Sequence, residues 1–142
     1  MIETSIIVPS FNSEKTIKET LISIEKQTYD SWECLVVDDN SSDNSINIVN
    51  EFCSANNKFK LIRLNKNEGV SKARNTGIEM SRGKFICFLD SDDLWEKDFL
   101  LRSIDSLLKT NCKLTYSSYI RFLDYNKKIY FKKYPPKIIN IK

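Results

Sequence analysis

Four short apolar runs, each followed by a stretch of helical period, constrain this chain more than any other feature. They are residues 4–9 (T-S-I-I-V-P), 32–37 (W-E-C-L-V-V), 59–64 (F-K-L-I-R-L) and 84–89 (K-F-I-C-F-L). Their length and β-branched content read as strands. Ser13 is expected to open the first helix as N-cap, with Glu14 in its first turn and Ile17, Leu21 and Ile24 at helical spacing. Ile46, Val49 and Phe52–Cys53 mark a second helix, and Asn67-Glu68-Gly69 turns the chain into a third over about residues 70–81. A fourth is expected over residues 97–110, with Phe99, Leu100, Ile104, Leu107 and Leu108 inward. Strand and helix thus alternate four times. That predicts an α/β fold, a mostly parallel, Rossmann-like sheet with helices on both faces and right-handed crossovers.

After residue 113 the pattern changes. Residues 114–123 and 128–131 read as an antiparallel strand pair around a turn at Asp124–Lys127. The length of 142 residues suits one domain, expected over residues 1–134, and Pro135-Pro136 is expected to end its ordered part and leave 135–142 as a flexible tail. Charge is unevenly placed. Residues 1–112 hold 14 Lys+Arg against 18 Asp+Glu, whereas residues 113–142 hold 8 against one, with 7 of the 16 aromatics. Such an end could meet lipid headgroups or another polyanion. The plainer reading, and the one we favour, is a strand pair with solvated lysines.

Composition excludes much. Hydrophobic residues at 41% and charged residues at 29% permit a core and argue against a disordered chain. No apolar run approaches the roughly 20 residues of a spanning helix. The start lacks the basic region of an export signal, so a cytoplasmic chain is expected. The sequence has no His, which removes Ser-His-Asp, Cys-His and His-zinc chemistry together. Cys34, Cys53, Cys87 and Cys112 form no C-x-x-C pair and read as free thiols, three of them within apolar patterns.

In an open parallel sheet, ligands bind beyond the carboxyl ends of the strands. Pro9, Ser10, Phe11 and Asn12 follow the first strand; Asp38, Asp39 and Asn40 the second; Asn65, Asn67 and Gly69 the third; Asp90, Ser91, Asp92 and Asp93 the fourth. One rim is therefore expected to gather five aspartates. Crowded carboxylates repel unless a cation intervenes, and hard oxygen ligands select Mg²⁺ or Mn²⁺. That combination suits a phosphorylated ligand. Each residue also has a plainer role open to it. Asp38, Asp39 and Asp43 could cap the second helix, Asp92 or Asp93 could cap the segment at Leu94–Trp95, and Phe11 could be core.

V-P-S-F-N (Val8–Asn12), V-V-D-D-N-S-S-D (Val36–Asp43), N-E-G-V-S-K-A-R-N-T-G (Asn67–Gly77) and F-L-D-S-D-D (Phe88–Asp93) occur in that order. Together they resemble the nucleotide-binding portion of the family 2 glycosyltransferases, which have the GT-A fold. The resemblance covers roughly residues 3–112. It implies a single nucleotide-sugar-binding domain and inverting transfer of a sugar from a nucleotide-diphosphate donor, a UDP-sugar by preference, to an acceptor hydroxyl. It also implies that Pro9, Phe11 and Asn12 line the nucleoside pocket, that Asp39 holds the base, and that Gly69 lets a loop approach the ligand. Arg74 would lie near the pocket, or serve as a salt-bridge partner. Asp90 would touch ribose or metal, and Asp92 would bind the metal. Family kinship further implies cell-surface polysaccharide or glycan synthesis, a glycan or lipid-linked acceptor, work at the inner membrane face with peripheral membrane contact, and no nucleic-acid partner.

The family's catalytic base is a carboxylate well downstream of D-x-D, in an acidic pair. Here Glu96, Asp98, Asp105 and Asp124 follow, none in such a pair. The expectation is a truncated donor-binding part without base or acceptor site, and no catalytic residue is assigned. A dinucleotide enzyme is opposed by the lack of G-x-G-x-x-G, and a P-loop nucleotidase by the lack of G-x-x-x-x-G-K-[ST]. Phosphoryl transfer through Asp90 as nucleophile is a weaker competitor. A non-catalytic binding module using the basic aromatic end for a membrane or partner is the main one.

Overall fold

The computed structural model describes residues 2–110, 112–123 and 128–133. The chain divides into two compact units, Met1–Leu100 and Leu101–Lys142. The first is built on strands β1 (Thr4–Ser10), β2 (Trp32–Asp38), β3 (Phe59–Arg63) and β4 (Phe85–Phe88). They form one parallel sheet in the order β3-β2-β1-β4. Helices α1 (Ile17–Glu25), α2 (Ser45–Ala55) and α3 (Val70–Met80) connect them, and α4 (Phe99–Thr110) follows.

Position in the sheet explains the strand sequences. β1 and β2 are central, and every residue of both is buried. They therefore read as continuous apolar runs instead of alternating ones. β3 and β4 are edge strands, and β4 alternates half-buried with exposed residues. On one face, Ile6, Val8, Cys34, Val36 and Phe59 pack with Ile17, Leu21 and Ile24 of α1 and Val49 of α2. On the other, Ile7 and Val37 pack with Ala73 of α3. Helices thus cover both faces, as the alternation predicts. Gly77 makes the second contact close, since a Cβ there would stand 2.5 Å from Ile7 Cγ2.

The second unit holds an antiparallel pair, β5 (Tyr119–Leu123) and β6 (Lys128–Lys133), with a register shift between Arg121 and Phe122. Residues 114–118, expected as strand, are not strand. The turn expected at 124–127 and the tail expected at 135–142 lie outside the described residues. Leu108 of α4, expected inward, is 62% exposed, while Leu100 and Ile104 are buried. Leu108 lies at the margin of the stripe that those two define.

Two expectations about the first helix are corrected. α1 starts at Ile17, and Ser13 is not its cap; Thr16 holds that position without a side-chain bond. The Ser13 hydroxyl instead bonds Ser10 Oγ at 2.7 Å, and its N–H donates to Ser45 Oγ at 2.8 Å. Glu14, expected in the first turn, reaches the start of α2. Its Oε2 accepts the Asn44 N–H at 3.0 Å, while its own N–H donates to Asp43 Oδ2 at 2.9 Å. Both residues are spent lacing two strand-end loops together, and a partner some thirty residues away outcompetes the local cap.

Candidate functional site

The strand order reverses between β1 and β4, and a crevice opens outside their carboxyl ends at such a point. Pro9 sits where the pairing of β1 with β4 has stopped. Ile7 O accepts the Leu89 N–H on the β4 side, and Ser10 O accepts the Asp39 N–H on the β2 side. Pro9 shares the phase of Ile7, but β4 pairs no further than Ile7↔Phe88. A residue without an N–H therefore costs the sheet no ladder bond there.

Beyond Pro9, Phe11 is 49% exposed at the mouth, so the core reading of this ring does not apply. Asn12 adopts φ +48°, a left-handed conformation that Asn tolerates better than most residues. It bonds back to the next loop, its N–H donating to Ser41 Oγ and its Oδ1 accepting the Ser42 N–H, each at 2.9 Å. Its side chain thus fixes the shape of the rim.

The five rim aspartates and Asp43 do not share one place. Asp43 accepts from the Ser45 N–H and hydroxyl just ahead of α2, whose N-cap is Asn44. Asp38 is buried, takes the Ser41 N–H on Oδ2, and has Arg63 Nε 3.8 Å away; its Oδ1 has no partner. Asp39, 3% exposed, accepts the Glu68 N–H on one oxygen and the Gly69 N–H on the other, both at 2.8 Å. It thereby satisfies donors at the start of α3, where an anion is favoured. Gly69 has φ +89°, which Gly adopts without strain, and a Cβ there would meet nothing within 4 Å. The positive φ gives this glycine a backbone role, and the open space beside it is compatible with the ligand approach that the resemblance implies.

Asp90, Asp92 and Asp93 remain together in the turn after β4, closed by the Asp93 N–H on Asp90 O at 3.0 Å. Partial burial, and then the charges of Asp92 and Asp90, raise the Asp93 carboxyl above the usual range. Arg74 of α3 donates to Asp90 Oδ1 at 2.6 Å, and its buried Nε has no partner. Arg74 is thus a salt-bridge partner within the site. Among the described residues, no group of three or more His, Cys, Asp or Glu is arranged to hold a metal by itself.

Several residues that hold this turn escaped the sequence reading. Thr20, fully buried on α1, donates to Ser91 O at 3.0 Å. Ser23 Oγ accepts the Trp95 N–H, and Gln27 bonds both Glu96 O and the Leu100 N–H. Thr20 and Ser23 stand three residues apart on one face of α1, and Gln27 follows just beyond its end. Elsewhere, a shallow open depression lined by Asn47, Asn50, Glu51, Ser54 and Ala55 lies on the exposed face of α2 and includes none of these loop residues.

The remaining polar groups are structural. Glu33, at the other end of β2, is 1% exposed and bonds Ser5, Lys60 and Arg82. Burial raises the Cys87 thiol to about 11 and that of Cys34 well above the ordinary value, so these two are inert thiols.

Comparison with known proteins bears on this site. The family model described as "Glycosyl transferase family 2" matches residues 5–140. An Escherichia coli protein, UDP-Glc:alpha-D-GlcNAc-diphosphoundecaprenol beta-1,3-glucosyltransferase WfgD, is 44% identical over 115 residues, 81% of this chain and 45% of that protein. The chain spans about half the length of the curated relatives it matches. A crystal structure of S. aureus TarS 1-349 with UDP-GlcNAc superposes with a TM-score of 0.73 at 34% identity, over 78% of this chain and 32% of that one. A mannosyltransferase from Pyrobaculum calidifontis, in complex with GDP-Man and Mn2+, gives a TM-score of 0.70 at 27% identity, over 74% and 32%.

Proposed function

The chain belongs to glycosyl transferase family 2, and from that premise we propose that it binds a nucleotide-diphosphate sugar in the crevice between β1 and β4, as the donor-binding portion of an inverting glycosyltransferase. The observation that carries the proposal is the acidic turn Asp90–Asp93 at the end of β4, the strand paired with β1, whose own end leads into the exposed Phe11. A UDP-sugar is the preferred donor, supported by the UDP-GlcNAc complex of the TarS neighbour.

In this reading Phe11 offers a ring face for the nucleoside, while Pro9 and Asn12 shape the wall against which it lies. Asp39 holds the start of α3 at the pocket edge. A carboxylate oxygen has two lone pairs, so it can also accept a base N–H while keeping the loop. Arg74 supplies a cation beside Asp90.

Asp90 and Asp92 fit a hard dication, Mg²⁺ or Mn²⁺. Such ions are commonly held by one or two carboxylates and complete their shell with phosphate and water. When bound, the ion offsets the charge that develops on a departing diphosphate. The chain's own residues bind and orient the donor, and this assignment covers donor binding alone.

We place the work at the inner membrane face, in polysaccharide synthesis. The name of the WfgD relative specifies a diphosphoundecaprenol-linked acceptor. The 8 Lys+Arg against one acid in residues 113–142 suit anionic headgroups. No helix among the described residues is long and apolar enough to cross a membrane.

Calorimetric titration with UDP, GDP and their sugars, with and without Mn²⁺, tests the proposal. Metal-dependent binding of at least one nucleotide is expected. If none of them binds in a metal-dependent way, the donor-site assignment is refuted.

A further inference from the structure

Three carboxylates within four residues repel one another, so a turn like Asp90–Asp93 tends to open when no cation is present. Here it is held by Arg74 of α3, which pairs with Asp90, and by α1 together with the residues that follow it. Thr20 Oγ1 donates to Ser91 O at 3.0 Å, Ser23 Oγ accepts the Trp95 N–H at 3.2 Å, and Gln27 Nε2 donates to Glu96 O at 2.9 Å. The Thr28 N–H donates to Lys97 O at 2.9 Å, and Gln27 Oε1 accepts the Leu100 N–H at 3.0 Å. Thr20 and Gln27 are buried at 0% and 8% exposure. A Thr hydroxyl has one hydrogen, and Ser91 O at 3.0 Å is a better acceptor than Thr16 O at 3.5 Å.

We propose that Thr20 is a positioning residue for cation binding. Its hydroxyl fixes the Ser91 carbonyl, and hence the peptide that joins Asp90 to Asp92, so that both carboxylates are set before the ion arrives. The inference rests on the donor-site reading above and adds to it a residue that touches neither ligand nor metal. The physical reason is preorganisation. A turn already held against its own repulsion spends less of the ion's binding free energy on ordering.

Thr20→Val keeps shape and removes the hydroxyl, while Thr20→Ser keeps the hydroxyl. Free Mn²⁺ is followed by electron paramagnetic resonance during titration in the presence of UDP, and UDP affinity is measured separately in EDTA. Thr20→Val should bind Mn²⁺ roughly threefold to tenfold more weakly, the equivalent of one lost hydrogen bond. Its UDP affinity in EDTA should be unchanged, and Thr20→Ser should behave as wild type. The Asp93 amide should exchange its hydrogen faster in Thr20→Val without any metal. Should that variant fail to fold, Thr20→Ala, which removes the same hydroxyl, carries the same expectations.

Wild-type Mn²⁺ affinity in a folded Thr20→Val protein overturns the positioning role. So does an equal loss of metal-free and metal-dependent binding, which would mark a general structural defect. A wild-type chain that binds UDP without any metal dependence overturns the donor-site reading itself, a result distinct from the other two.

Discussion

Replacing Asp39 by Asn separates its hold on the loop at 68–69 from the base-binding role that the resemblance implies. The carboxylate is 3% exposed and accepts two backbone N–H groups, from Glu68 and Gly69, at 2.8 Å each. Asn keeps one acceptor oxygen; its amide nitrogen meets the second N–H as donor against donor. One charge-assisted bond is lost, worth about 1.5–3 kcal/mol, and one N–H is stranded at about 1–3 kcal/mol. These overlap, because both describe the same missing contact. The neighbouring Glu68 side chain is 35% exposed, so water reaches part of the loop. The net expectation is about 2 kcal/mol, or roughly 8–15 °C in Tm for a unit of this size. Urea denaturation near neutral pH, followed by circular dichroism without nucleotide, reads it directly. Asp105→Asn is the control, since it removes only an exposed pair with Lys109 and should cost under about 0.5 kcal/mol. If Asp39→Asn is no more destabilising than the control, the carboxylate does not hold the loop. The effect on nucleotide affinity would then have to come from direct contact with the base.

Asp92→Asn should weaken Mn²⁺-dependent UDP binding far more than Asp105→Asn in the same calorimetric titration; equal effects would remove Asp92 from the cation site. Burial opposes ionisation of Glu33, but hydrogen bonds from Arg82, Lys60 and Ser5 outweigh it and bring its pKa from 4.5 to about 2. Because the folded value is depressed, this stabilisation is present above the unfolded pKa and lost as pH falls toward 2. It amounts to at most about 3 kcal/mol. Urea midpoints compared at about pH 5 and about pH 2.5 should show a steeper fall for wild type than for Glu33→Gln. Gly77→Ala places a Cβ 2.5 Å from the fully buried Ile7 side chain and should cost about 1–3 kcal/mol by thermal denaturation; an unchanged Tm would mean that α3 can shift on the sheet.

Much of the architecture was legible in the sequence. The four runs became β1 to β4 with ends displaced by a residue or so, and continuous apolar character marked the two central strands. The rim on which the loop residues gather was legible too, because the polar residues after each strand of a parallel sheet must lie at its carboxyl edge. The D-S-D tripeptide and Arg74 are brought into contact, through Asp90. Less legible was which acid does what. Asp38, Asp39 and Asp43 look alike in sequence, yet they bond, respectively, Ser41, the loop at 68–69, and Ser45.

By itself the sequence determined the alternation of strand and helix, the parallel sheet and the edge at which the polar loop residues gather. Those follow from the periodicity of apolar side chains, which is local. Tertiary structure alone decided the start of α1, the work of Asp39 and the clamp on the acidic turn. Each of these is a hydrogen bond between residues distant in sequence, 29 residues for Asp39 and Glu68 and 71 for Thr20 and Ser91. A polar side chain reveals its partner only when folding removes water from both, and nothing in the neighbouring residues records which partner that is.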